Sequence, residues 1–173
     1  MATFGNTDTT VDNAVDAKGH HAYIVAHCPE AGTANFIKAV IDSAGGNCKA
    51  KCALYTSDDV FLAATEVKTL AMAQAQITFN FADPKPSLVH DDYHIVLMTE
   101  EVGDWQMLCY KTVIGQSTYT DNDDAAYPTF NDPLGTSHTA ANAAGDIYCD
   151  YTATAEGQPY MSRVQGIRGM RTW

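Results

Sequence analysis

Arginine is missing before Arg163, and basic residues are few throughout: 10 Lys and Arg stand against 21 Asp and Glu, a formal net charge of −11. Phosphate backbones are bound by a surplus of Lys and Arg, so nucleic acid is excluded as the main partner. Long hydrophobic runs are absent too: stretches such as Ile95 to Met98 are far short of the roughly 20 apolar residues of a spanning helix, so membrane insertion is not expected. Gly-x-Ser-x-Gly elbows and phosphate-cradling Gly-rich loops are lacking, and no Cys sits in a catalytic context. These absences point to a chain that is not an enzyme. Met1 is followed by ATFGNTDTT, with neither a basic nor an apolar leader region, so the chain is expected to be made without a signal peptide.

What is present suits one domain with a tail. A 173-residue chain with 46% hydrophobic residues can bury one proper core and is too small for two ordinary domains. Charge divides it. Up to Glu156 the chain holds 7 Lys against 21 acids, a balance of −14, whereas the last 17 residues carry Arg163, Arg168 and Arg171 and no acid. A sandwich domain over 1–153 and a C-terminal docking tail over 154–173 are therefore expected, the tail suited to an acidic surface. A solvated, disordered end is the alternative.

Period-two alternation dominates the domain. HHAYIVAHC (20–28), CKAKCALY (48–55), QITFNFA (76–82) and YHIVLMT (93–99) read as strands, the last apolar on both faces and so central. TANFIKAVID (33–42) alternates through Ile37, Ala39 and Ile41 and is read as a strand, although a helix would tolerate it. WQMLCYKT (105–112) is another strand, and Asp146 to Thr152 closes the set after an Asp-Pro-Leu-Gly turn (132–135) and a small polar loop. A helical turn within 66–76 is left open. Eight or nine short strands separated by turn signals predict an all-β antiparallel sandwich, specifically a jelly roll.

Few constellations carry chemistry. Cys28, Cys48, Cys52, Cys109 and Cys149 are odd in number and lack zinc spacing, so most are expected as buried thiols, with one cross-strand disulfide left open. Cys48 and Cys52, four residues apart on a strand, stand roughly 13 Å from one another and cannot bond. Six histidines invite a metal reading: His21 and His27 share a strand face, and His90 and His94 share parity with Asp92 between them. Solvated edge histidines are the plain alternative. Asp121, Asp123 and Asp124 offer oxygen-rich chemistry for a structural Ca²⁺, without EF-hand spacing, against an ordinary solvated turn; no other cofactor is expected. Trp105, Tyr119 and Tyr127 could stack on sugar faces.

Several phrases, in this order, are similar to a recurrent β-sandwich module of phage and virus structural proteins and of cell-surface proteins. They are Phe4-Gly5-Asn6-Thr7, Gly32 to Asp42, Lys51 to Ser57, Asp92 to Leu97, and Asp132-Pro133-Leu134-Gly135 followed by Ile147 to Thr152. The resemblance covers about residues 3 to 153 and prescribes no catalytic residues. It implies a concanavalin-like or jelly-roll sandwich used for display, assembly or glycan contact. Together with the arginine tail it implies a virion subunit (capsid, decoration or fibre) or a cell-surface assembly subunit. The expected partners are copies of itself or a larger particle. Tyr160, Arg163, Ile167, Arg168, Arg171 and Trp173 are the expected docking residues, since Trp, Tyr and Arg dominate interfaces. A carbohydrate-binding module is the alternative.

Overall fold

A computed structural model describes residues 1–43, 48–71, 73–101, 106–121, 127–135 and 137–154. It is all-β. The first strands are β1 (Ala2–Gly5), β2 (Asn13–Asp16), β3 (His21–Cys28), β4 (Gly32–Ser43) and β5 (Lys49–Thr56). They are followed by β6 (Phe61–Ala64), β7 (Lys68–Thr69), β8 (Ala75–Asn80), β9 (Ser87–Leu88) and β10 (Asp91–Thr99). The last are β11 (Gln106–Asp121), β12 (Ser137–Gly145) and β13 (Ile147–Ala153). All paired strands run antiparallel.

Hydrogen bonding joins the strands into a single sheet folded over on itself. The front layer runs β1-β13-β4, with β8 and β9 on the far edge of β4; the back layer runs β3-β10-β5-β6, with β7 beside β5. Consecutive long strands β3, β4 and β5 lie in alternate layers, and the final strand β13 lies between β1 and β4, which is the winding of a jelly roll. Strand β11 makes the fold-over: it starts against β4 (Leu108 opposite Ile41) and ends against β3 (Tyr119 opposite Tyr23).

The core sits between the layers because alternation sends every second side chain inward. Ile37, Ala39 and Ile41 of β4, Cys149 and Tyr151 of β13, Ile95 and Leu97 of β10, and Cys52 and Leu54 of β5 are buried together. Phe4 ties the layers, its ring 5.7 Å from Tyr93 behind and 5.8 Å from Tyr151 beside it. All five cysteines are buried free thiols, so the disulfide left open by the sequence does not form.

A second apolar cluster lies outside the back layer. Tyr23, Ala53, Tyr55 and Val96 face away from the main core and are covered by Leu134 and Phe130. The cover is pinned by polar contacts: the Tyr55 hydroxyl donates to the Asn131 carbonyl at 2.6 Å, and the Asp132 carboxylate accepts the Phe61 N–H at 3.3 Å. Phe130 stacks on His21 with ring centroids 5.5 Å apart. Apolar residues on both faces of β10 and β5 therefore reflect one inner core and one outer cover.

Several sequence expectations change here. The polar loop expected after Gly135 is largely strand β12, and the strand expected to end at Thr112 continues to Asp121. In the polar, non-periodic stretch after Gly5, which reads as a loop or an edge segment, residues 13–16 form β2. Each carries small or polar side chains without apolar alternation, yet ladder hydrogen bonds form from the backbone alone. In 66–76 the described residues hold the short strand β7 and the start of β8, and no helical turn. The Asp132-to-Gly135 stretch belongs to the cover over the back layer and is more than a reversal.

Candidate functional site

The predicted site residues scatter. Tyr160, Arg163, Ile167, Arg168, Arg171 and Trp173 lie outside the described residues, as do Asp123, Asp124 and Trp105. Asp121 ends β11, its backbone paired with His21. Further along the chain, the Asn131 carbonyl and the Asp132 carboxylate hold the cover. Among the described residues no three His, Cys, Asp or Glu side chains converge as metal ligands. Tyr127 is half-buried near Glu100 and Cys48, and burial pushes its phenol up to about 12. Tyr119 lies elsewhere, stacked on Tyr23 with centroids 5.2 Å apart.

Tyr119 does line a cleft of about 460 Å³. Its origin is a defect in the β11 ladder. Thr112 pairs with Ala143 and Ser117 with Ala141, so four residues of β11 bulge opposite Asn142 alone. Gly115 lies at the bulge with φ +84°, a conformation that favours glycine, and its N–H donates to the Asn142 side chain at 3.1 Å. The bulge swings β11 from the front layer to the back one. Because β11 meets β3 only over His21–Tyr23, the stretch from Ile24 to His27 faces the gap. Asn6, Gln116, Ser117 and Tyr119 line the remainder, a mixed polar and aromatic wall.

At the rim, His27, His90 and Asp92 meet. The antiparallel register of β3 and β10 sets Asp92 opposite His27. Asp92 Oδ1 lies 2.7 Å from His27 Nδ1, and His90 Nε2 lies 3.3 Å from His27 Nε2. Asp92 thus has a partner across the ladder. His94, which shares parity with His90, goes elsewhere: its Nδ1 is 2.9 Å from Asp59 and its ring stacks on Tyr23 at 5.3 Å. Burial lowers the His94 pKa below its usual value, against the opposing pull of Asp59.

A buried carboxyl, Asp146, lies between β12 and β13. Asp146 is 2% exposed; Asn6 Nδ2 donates to its Oδ1 at 2.9 Å, while Oδ2 is buried without a hydrogen-bond partner. Burial, with Asp8 and Asp12 nearby, pushes its pKa from 3.8 up to about 7. Lys111 moderates this only partly, because its ammonium is engaged by Asp8 at 2.9 Å. Nothing in the sequence around Asp146 signalled a protonated acid, since its burial comes from strands distant in the chain.

Against protein-family models and curated proteins the chain finds no match.

Proposed function

We propose that this chain is a non-enzymatic structural subunit that assembles with copies of itself, using the outer face of the front layer and the arginine tail as its contacts. The observation that carries the reading is the contrast between the two outer faces. Behind, the chain covers its own sheet with Phe130 and Leu134. In front, among the described residues, Thr3, Phe36, Lys38, Thr78, Tyr148 and Thr152 stay exposed or half-exposed on a four-strand surface. Asn35 stiffens that surface by donating to Asp150 at 2.9 Å and to Thr152 at 3.0 Å, so side chains are held in place before any contact forms. A net −14 over the residues up to Glu156, facing a tail whose only charges are arginines, supplies complementary charge between neighbours. A virion or cell-surface particle is the setting that the resemblance of the strand phrases favours.

Sedimentation velocity on the full chain tests this. The wild type is expected to form oligomers that dissociate in Tyr148→Glu and in the combined Arg163→Glu, Arg168→Glu, Arg171→Glu variant, with melting of the sandwich unchanged. A wild type that stays monomeric, or variants that assemble like it, would refute the reading. The cleft favours a second reading, a carbohydrate-binding module: Tyr119 offers an aromatic wall beside the polar groups of Asn6, Gln116 and Ser117. A glycan-array signal abolished by Tyr119→Ala would establish it, and an array without a specific signal would remove it.

A further inference from the structure

We infer that His27 and His90 form a surface site for a borderline divalent transition metal ion, of the zinc class, with Asp92 as the residue that orients His27. The inference is independent of the assembly reading. It begins with the tautomer. Asp92 Oδ1 sits 2.7 Å from His27 Nδ1, and a carboxylate there is satisfied by an Nδ1–H donor. That leaves His27 Nε2 with its lone pair, which is the atom that faces His90. The arrangement is the carboxylate–histidine pairing that raises imidazole basicity and fixes ring orientation in metal sites.

The second nitrogen is at a fitting distance. His27 Nε2 and His90 Nε2 are 3.3 Å apart. Two imidazole nitrogens bound at about 2.0–2.1 Å to one tetrahedral ion stand roughly 3.3–3.4 Å from each other. The rings meet edge to face, 86° between planes with centroids 4.6 Å apart, an ordinary aromatic contact that brings the two nitrogens together before any ion arrives. A neutral N–H···N contact between the same atoms is the competing explanation, and it predicts no affinity for a metal. Since no third protein ligand converges among the described residues, the remaining coordination positions go to water. Nitrogen ligands favour zinc, copper and nickel over calcium or magnesium, which take oxygen.

Local structure makes the site rigid on one side and accessible on the other. His27 and Asp92 face one another across the β3–β10 ladder, and both side chains are 52% exposed. His90 immediately precedes β10 and is exposed. An ion reaches the pair from solvent without opening the fold, and His27 also lines the cleft.

Titration of the full-length chain with ZnCl₂, followed by calorimetry and by the histidine side-chain resonances, tests the site. The expected result is zinc binding that moves the His27 and His90 resonances and is weakened at least tenfold by His27→Ala and by His90→Ala. Asp92→Asn should weaken it about 10- to 100-fold, as orienting carboxylates do elsewhere. All three residues are exposed, and melting without zinc reports whether each variant is folded. Zinc bound equally well by His27→Ala and His90→Ala, or no zinc-dependent shift of either resonance in the wild type, would overturn the assignment.

Discussion

Replacing Asp146 by Asn should make the protein's stability much less sensitive to pH between 5 and 8. The carboxyl is 2% exposed, one oxygen accepts from Asn6, and the other is buried without a hydrogen-bond partner. Its pKa is 3.8 when solvated and about 7 when folded. The folded group therefore holds a proton that the unfolded chain has already released. Its favourable contribution is full below pH 3.8 and declines as pH rises toward 7. The slope is about 1.4 kcal/mol per pH unit, roughly 4 kcal/mol over the window as an upper bound. Asn keeps the oxygen that accepts from Asn6 and cannot ionise. Going from pH 5 to pH 8, the variant should thus gain roughly 2 to 3 kcal/mol on the wild type. Urea melts of both proteins at several pH values measure this, because urea leaves charges unscreened and slope and midpoint are read separately. Asp8, Asp12 and Lys111 are present in both proteins, so the difference isolates Asp146. A stability difference that stays constant from pH 5 to pH 8 would refute the reasoning.

Phe79 is fully buried in the main core, and Phe79→Ala should cost about 3 to 5 kcal/mol in chemical denaturation. Gly5 has φ +103°, and a Cβ there would stand 2.7 Å from the Ile147 carbonyl oxygen; Gly5→Ala should cost at least about 2 kcal/mol of thermal stability. The five cysteines are buried, and burial pushes Cys109 up to about 12, so a thiol reagent should find little reactivity in the native protein and five thiols per chain in urea. His94 has a lowered pKa, so its folded form resists protonation: its contribution to stability should fall as pH drops below about 6.5, a loss that His94→Gln should reduce in acid melts.

The strands that bury one face were legible because alternation is a property of the local chain. Ile37, Ala39 and Ile41, Phe79 and Phe81, and Ile95 and Leu97 all point inward as period two requires. Strands with mostly small or polar side chains were not legible: SHTAANAAG of β12 and NAVD of β2 contain too few large apolar residues to show a face. The functional surfaces were legible only as separate parts. His90, Asp92 and His94 looked alike in spacing, yet one step along the ladder decides that Asp92 meets His27, while His94 is buried against Tyr23 and Asp59.

By itself, then, the sequence determined the class of the fold, the inward set of side chains and the separation of acidic body from basic end, because periodicity and charge are written residue by residue. Register, layer and cover belong to the tertiary structure. A bulge at Gly115 opened the cleft, Phe130 and Leu134 covered the outer face of the back layer, and segments far apart in the chain brought two imidazoles within 3.3 Å and buried Asp146. The reason is that these features depend on pairing between distant segments, and one residue of slip in a ladder would send every side chain to the opposite face.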